Sequence, residues 1–193
     1  MSSFDFHDAG QLNSTFSGCT SLQEVIFGEH NTSTIKEIKN AFLNVGGNGE
    51  FTCVNADFSS VTSMENAFKG ASATAFNLSG WKTQSVKSFQ SLFQDCKQAK
   101  KINLSGWSAN SAEKVSHMFN TTDVIEEIDL GREFNIPVGL WKDQLFYCTA
   151  KTSKSTVLKC SRITYDELIK FKEAGGGQSK TFLTQYCTFS VYE

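Results

Sequence analysis

The sequence predicts an α/β repeat solenoid, because three features recur along the chain with one period. A phenylalanine returns about every 26 residues, apolar residues keep fixed offsets around it, and a short alternating segment follows it. A unit of this length cannot bury its own apolar face, so successive units must stack and share one continuous core. We therefore expect about five units, each with one short strand and one short helix.

The period is set by six phenylalanines, which are separated by 26, 26, 25, 26 and 27 residues. They are Phe16, Phe42, Phe68, Phe93, Phe119 and Phe146. Mostly apolar residues stand seven before, four before and three after each of them, as Val86, Phe89 and Cys96 do around Phe93. These offsets are typical of one face of a helix. The pattern predicts a short helix in each unit and a ladder of phenylalanine rings along the core.

A two-residue alternation after each helical segment predicts a short strand with one buried face. The inward pairs are Val25 and Phe27, Phe51 and Cys53, Phe76 and Leu78, Ile102 and Leu104, and Ile128 and Leu130. The segment Asn-Leu-Ser-Gly-Trp occurs at 77–81 and again at 103–107, and its glycine suits the turn that leaves the strand. A slot twelve residues before the repeat phenylalanine holds Trp81, Trp107 and, in an earlier unit, His30.

The repeat divides the chain into three parts. Residues 1–15 are expected to form a half-repeat or N-terminal cap, or else the chain begins within an array; residues 16–146 form the solenoid, and residues 147–193 a C-terminal cap. In the last part, Thr164 to Glu167 has the form of a capping box, which predicts a helix from Tyr165. A strand before the helix and another near residues 182–191 give the cap a strand–helix–strand order.

The run Phe93-Gln-Asp-Cys96, the strand and tryptophan that follow it, and the helical segment before it resemble the BspA-like leucine-rich-repeat surface proteins. They resemble more closely the repeats first noted in mycoplasma surface lipoproteins. The resemblance covers roughly residues 4–135 and departs at Gly46 to Gly49 and after Phe146. It implies a leucine-rich-repeat-like solenoid, a cell-surface or extracellular location, and a tendency toward adhesion or protein binding. No catalytic residues come with it.

Composition argues against several classes of partner. The net charge of −2 shows no basic excess, so we expect no nucleic-acid partner. The N-terminus lacks the apolar core of a secretory signal, and no stretch is long enough to cross a bilayer, so we expect no membrane insertion. The six cysteines form no Cys-x-x-Cys pair, so we expect neither a metal nor a cofactor site. Buried free thiols are the expected state, and a disulfide framework is the alternative.

No catalytic motif is present, so the sequence predicts a protein that is not an enzyme. The chain contains no Gly-x-Ser-x-Gly, no phosphate-binding glycine loop and no His-Glu-x-x-His. Of the three histidines, His30 occupies the tryptophan slot and His117 an outward helical offset, which favours packing and solvent exposure over ligation. Cys19 and Cys96 share a core column, which favours inert thiols.

The outward residues of the predicted strands form the candidate binding face. The residues assigned to ligand binding are Asn77, Ser79, Lys101, Asn103, Ser105, Glu127 and Asp129. The alternative is a solvated sheet face on which the Asn and Asp side chains hydrogen-bond along the stack. Five Asn-x-Ser/Thr sequons begin at Asn13, Asn31, Asn77, Asn103 and Asn120, and the repeat explains Asn77 and Asn103 as outward strand residues. The period also places Lys100 and Lys101 beside Glu126 and Glu127.

Two functions remain open from the sequence. The first is a protein-binding or adhesion module that recognises a protein or a glycan through its strand face or helix edges. The second is a structural subunit of a virion or surface assembly that self-assembles through the N-terminal half-repeat or the C-terminal cap. The half-repeat start and the missing secretion signal favour the second function, and the family resemblance favours the first.

Overall fold

The computed structural model describes residues 9–27, 32–137, 139–140, 145–146, 155–174, 182–183 and 185–193. It is a parallel β-solenoid of about five turns with one short helix. The elements are β1 (Glu24–Ile26), β2 (Glu50–Val54), β3 (Ala75–Asn77), β4 (Lys101–Asn103), β5 (Glu127–Asp129), β6 (Thr156–Ser161), α1 (Arg162–Ala174) and β7 (Cys187–Tyr192). The seven strands form one parallel sheet whose order follows the chain.

A second line of contacts between coils lies away from the main sheet. It consists of single parallel bridges that join Gln11, Glu37, Ser63, Ser88 and Lys114 in succession. Each coil is therefore hydrogen-bonded to the next on two sides. Both ladders join the same backbone position in successive coils, so every coil must contain nearly the same number of residues. The near-constant period of the sequence meets this requirement.

The prediction of a short helix in each unit is wrong. The segments around the repeat phenylalanines are chains of tight turns, in which Ala41 N–H donates to the Ile38 carbonyl at 3.2 Å and Val45 N–H to the Phe42 carbonyl at 3.3 Å. Between those turns, Phe42 N–H donates to the carbonyl of Ala67 in the next coil at 2.8 Å. These backbone groups bond across the stack, whereas a helix would use them internally.

Two left-handed backbone positions in each coil explain why the helix does not form. They lie two residues before and two residues after the repeat phenylalanine, with φ between 54° and 77°. The first column holds Ser14, Asn40, Asn66, Ser91 and His117, and the second holds Gly18, Asn44, Gly70, Asp95 and Thr121. Left-handed residues interrupt a right-handed helix, and Gly, Asn and Asp adopt this conformation most readily.

The phenylalanine ladder is confirmed. The six repeat rings stack with centroid separations of 5.0 to 5.8 Å and interplanar angles of 4° to 10°. Phe182 adds a seventh ring, 4.8 Å from Phe146, so it does not belong to the predicted last strand, which begins only at Cys187. Trp81 and Trp107 form a second stack at 5.3 Å in the predicted slot. His30, in the same slot, lies outside the described residues.

The first strand pair departs from the predicted alignment by two residues. Val25 pairs with Cys53, whereas the repeat frame aligned Val25 with Phe51. The first coil is the short one, since Val25 follows its repeat phenylalanine, Phe16, by nine residues, whereas Cys53 follows Phe42 by eleven. Because side chains alternate along a strand, a shift of two residues keeps every inward side chain inward. Glu24 and Ile26 therefore stay on the outer face, as predicted.

The C-terminal region has the predicted strand–helix–strand order, and its strands β6 and β7 continue the same sheet. The helix starts three residues earlier than the capping box suggested. Ser161 is the N-cap, since its Oγ accepts the backbone N–H of Thr164 at 3.1 Å. The Thr164 hydroxyl instead donates to the Phe134 carbonyl at 3.0 Å, which ties the helix to the preceding coil.

Glycines recur in the turns after three strands, and they differ in how closely the backbone of the preceding coil approaches them. Gly80, Gly106 and Gly131 all have positive φ, but an added Cβ would meet nothing at Gly80 and the Ser105 Cα at 2.9 Å at Gly131. We expect Gly131→Ala to lower the free energy of unfolding by about 2–4 kcal/mol, from left-handed strain and overpacking. Gly80→Ala carries the left-handed strain alone and should cost about 1–2 kcal/mol. Equal losses in urea titrations of the two variants would refute the backbone contact.

Candidate binding face on the sheet

The structure brings the predicted binding residues together on the outer face of the sheet. Five of them lie on β3, β4 and β5, and Ser79 and Ser105 lie in the turns that follow β3 and β4. Strand pairing places Asn77, Asn103 and Asp129 in one row across the sheet, and Lys101 and Glu127 in the neighbouring row. We call this surface, formed by the outward residues of β1 to β5 and the turns after them, the strand face.

Hydrogen bonds within the strand face already occupy most of the asparagine and serine groups. Asn103 Nδ2 donates to Asn77 Oδ1 at 3.3 Å, and the Ser79 hydroxyl donates to the same oxygen at 3.0 Å. Asn103 Oδ1 accepts the N–H of Ser105 at 3.0 Å and its hydroxyl at 2.6 Å. These side chains fix the turn two residues ahead and link adjacent coils, which is the structural alternative considered for them from the sequence.

Asp129 holds the far end of the same row through a contact that the sequence did not predict. Its Oδ1 accepts the Gly131 N–H at 2.8 Å, and its Oδ2 accepts the Tyr192 hydroxyl at 2.7 Å. The Arg132 guanidinium lies 5.3 Å from the centroid of the Tyr192 ring. Burial, followed by the hydrogen bond to Asp129, raises the pKa of Tyr192 to about 12. Tyr192 and Asp129 are 63 residues apart, so no local pattern could have indicated the pair.

Lys101 is the predicted binding residue with the most accessible charge. The predicted register is confirmed, since Lys101 pairs with Glu127 across β4 and β5. The Glu127 carboxylate, however, forms its ion pair with Lys159 on the other side, at 3.0 Å. Within the described part of the chain, the exposed Lys101 ammonium has no carboxylate within ion-pair distance. It therefore remains available to an anionic or polar partner.

A shallow depression surrounds Lys101. Its volume is about 280 Å³, and it is bordered by Asn77, Asn103, Glu127 and Lys159, with the small Ala75 at its floor. Ala75 lies between Glu50 and Lys101 in its row, so the short side chain leaves a notch between two charged neighbours. The Glu50, Glu127 and Asp129 carboxylates also line the depression, so one unpaired ammonium beside fixed amides suits hydroxyl and amide groups better than apolar ones.

The N-terminal end of the strand face carries an exposed apolar pair beside polar side chains. Ile26 and Val54 are paired residues of β1 and β2, and they are 60% and 41% exposed. The face thus changes from mixed acidic and apolar side chains at β1 and β2 to amides at β3 and β4 and carboxylates at β5. A partner that lay across all the strands would meet three different surfaces.

The cysteines differ from the sequence prediction of buried thiols at two described positions, Cys19 and Cys187. Cys53, Cys96 and Cys160 are buried and free, Cys187 is half-buried, and Cys19 is exposed, because its coil is the first of the described stack. Burial raises the pKa of the Cys53 and Cys96 thiols far above the ordinary value, and that of Cys160 to about 11. Thiols with pKa values this high make poor nucleophiles at neutral pH. Cys148 lies outside the described residues.

The remaining candidate residues carry no assembled chemistry in the described part of the chain. His117 occupies a left-handed turn position, which replaces the outward helical position expected for it. Asn120 is 5% exposed, so its sequon is closed to glycosylation in the folded chain, whereas Asn13 is exposed. Among the residues the structure describes, no three metal-ligating side chains cluster and no helix is long and apolar enough to cross a bilayer.

The fold and this face define a class: the chain is a parallel repeat solenoid with a regular outer sheet face. Residues 48–142, just under half of the chain, match a family described as Mycoplasma protein of unknown function, DUF285. The matched segment contains β2 to β5 and all seven residues predicted to bind a ligand. It agrees with the mycoplasmal part of the resemblance noted from the sequence. Comparison with curated proteins and with solved structures gives no match.

Proposed function

We propose that this chain is a non-catalytic binding module of the repeat surface-protein type, which recognises a protein or a glycan through its strand face. The observation that supports the proposal best is the exposed, unpaired Lys101 beside a row of fixed amides. The notch at Ala75 gives a ligand group access to that ammonium. The resemblance to BspA-like and mycoplasmal surface repeats supports an adhesive role at a cell surface.

Rigidity supports the same proposal. The side chains of Asn77 and Asn103 are held by bonds to each other and to the serines after them. A ligand that binds to such groups does not need to order them, so the entropic cost of association is lower. The bonds also leave the amide row with few free donors, so the Lys101 ammonium is the main donor that the row offers to a ligand.

Loss of the Lys101 ammonium is the direct test of the strand-face proposal. We expect Lys101→Ala to weaken binding of a ligand identified on glycan and matrix-protein arrays by about 5- to 20-fold, since a charge-assisted contact contributes about 1–2 kcal/mol. Surface plasmon resonance at two salt concentrations measures the loss. The wild-type affinity should fall with added salt more steeply than that of the variant.

Lys100→Ala is the matched control, because Lys100 is the adjacent exposed lysine and lies outside the strand row. The substitution removes the same charge from the whole molecule and leaves the strand face intact. If both variants lose affinity equally, binding depends on net charge alone and the strand face is not the site. If neither loses affinity, the ligand binds elsewhere on the solenoid.

A structural-subunit function, as in a virion or surface assembly, is the second candidate. The observation that favours it is the position of the partly covered core side chains. Most of them lie at the two ends of the stack: Phe16, Leu22 and Val25 at the N-terminal end, and Tyr165, Tyr186, Cys187 and Phe189 at the C-terminal end. A solenoid whose ends are incompletely covered is suited to association through those ends. Under this proposal, β6, α1 and β7 act as a joint as well as a cap.

A further inference from the structure

The last strand of the sheet leaves its core side only half covered. Cys187, Phe189 and Val191 point inward on β7 and are half-buried, whereas their counterparts on interior strands, such as Ile102 and Ile128, are at most 1% exposed. In the described part of the chain, β7 pairs with β6 alone. A parallel sheet edge of six residues with apolar side chains behind it is a template for another strand.

The first strand has the same character at the opposite end. Val25 points inward on β1 and is half-buried, and Ile26 is 60% exposed on the strand face. Among the described residues, β1 pairs with β2 alone. Because all seven strands are parallel and follow the chain order, a strand equivalent to β1 placed beyond β7 would have the direction that the sheet requires.

We propose that the two ends are complementary halves of one head-to-tail interface, in which β1 of a second copy of this chain pairs with β7. The strand-face row fixes the register of the contact. Asp129, Lys159 and Ser190 succeed one another in that row, and Glu24 is its first member on β1. Continuing the row sets Glu24 of the second copy beside Ser190, Val25 beside Val191, and Ile26 beside Tyr192.

Charge and shape agree with this register. Glu24 is exposed and acidic, and the end that receives it carries Lys159 one strand away and Arg132 against the Tyr192 ring. The exposed Ile26 side chain would cover the Tyr192 ring, which Asp129 holds in place. Val25 and Val191 would complete each other's core column. This contact rests on the structural-subunit proposal and not on the strand-face proposal, since Lys101 lies in the middle of the stack.

Head-to-tail contacts of this type do not close, so the assembly is an open chain of copies. We expect the weight-average mass of the purified chain, measured by sedimentation velocity, to rise steadily with concentration. Val25→Lys blocks the N-terminal end, and Phe189→Lys blocks the C-terminal end. Each variant alone should stay monomeric, and a mixture of the two should form a heterodimer through the one intact end of each.

The mixing experiment decides the matter, because no other arrangement predicts recovery of a heterodimer from two monomeric variants. A wild-type chain that stays monomeric at every concentration, a closed wild-type dimer, or a mixture that stays monomeric while the wild type assembles would each overturn the proposal. Should either lysine variant fail to fold by circular dichroism, Glu24→Lys serves instead, since its side chain is exposed. It should weaken association by about 5- to 20-fold, and Glu113→Lys, in the middle of the stack, should leave it unchanged.

Discussion

Replacing Phe93 by alanine lowers the free energy of unfolding by about 3–5 kcal/mol, one of the two largest effects expected for a single side chain of this protein. The Phe93 ring is fully buried at the centre of the ladder, 5.4 Å from the Phe68 ring and 5.8 Å from the Phe119 ring. The Phe76 ring also meets its edge at 5.4 Å. The cavity therefore opens between two coils that each lose a stacking partner.

Urea titration followed by circular dichroism measures this loss, and two further variants locate its cause. Phe93→Leu fills most of the cavity and should cost about 1–2 kcal/mol. Phe16→Ala removes the half-buried end ring of the same ladder, which has a described partner on one side only, Phe42. Its loss should be about half that of Phe93→Ala. Equal losses at the end and the centre would show that stacking along the ladder contributes nothing.

Trp107→Ala should cost a similar 3–5 kcal/mol, through packing and a hydrogen bond together. The indole is fully buried and stacks on Trp81 at 5.3 Å, and its Nε1–H donates to the Leu78 carbonyl in the preceding coil at 2.6 Å. Trp81 makes the equivalent hydrogen bond one coil earlier, in which its Nε1–H donates to the Cys53 carbonyl at 3.2 Å. Each tryptophan thus fastens its own coil to the strand of the coil before it.

Trp107→Phe separates the two contributions, because it keeps an aromatic ring in the slot and leaves the Leu78 carbonyl without its donor. We expect it to cost about 1–3 kcal/mol, the range for a buried polar group left unpaired. Backbone circular dichroism is the appropriate probe, since Trp107 is itself one of the three tryptophans that fluorescence would report. A loss of stability in Trp107→Phe as large as that in Trp107→Ala would assign the whole effect to the hydrogen bond.

The solenoid and its phenylalanine ladder were predictable from the sequence because a stack of coils repeats its environment at a fixed interval. Phe42, Phe68 and Phe93 meet the same neighbours one coil apart, so the spacing is visible without any knowledge of the path of the chain. The local conformation was not predictable from the same spacing. Inward side chains every three or four residues fit both a helix and a chain of tight turns.

The feature of the sequence that distinguishes turns from a helix is the residue type at two polar positions of each repeat, which the apolar pattern does not include. Asn40, Asn66 and Ser91 fill one left-handed position, and Asn44, Gly70 and Asp95 fill the other. Residues of these types, repeated in the middle of a supposed helix, indicate turns because they tolerate positive φ. Thr121 weakens the signal in the last unit, since a β-branched residue rarely adopts positive φ.

The candidate site was predicted in outline, and its bonding was not. Strand periodicity placed Lys101, Asn103 and Glu127 on one face, and the strand pairing agrees. The ion pair from Lys159 to Glu127 and the hydrogen bond from Tyr192 to Asp129 both come from strands beyond the repeat. Their partners lie outside the period, so no repeated column in the sequence pointed to them.

The hydrogen bonds between coils all lie along the axis of the stack, so the resistance of the molecule to force depends on the direction of the force. A load that pulls the two ends of the stack apart opens these bonds one coil at a time, because each coil is bonded only to its neighbours. Each release lengthens the chain by roughly 85–90 Å, the extended length of a 26-residue coil. A load perpendicular to the axis must displace the stacked rings and break both ladders of hydrogen bonds at the same time. Such a body is stiff under shear yet peels in steps under axial tension, so an attachment made at its end extends gradually before it fails.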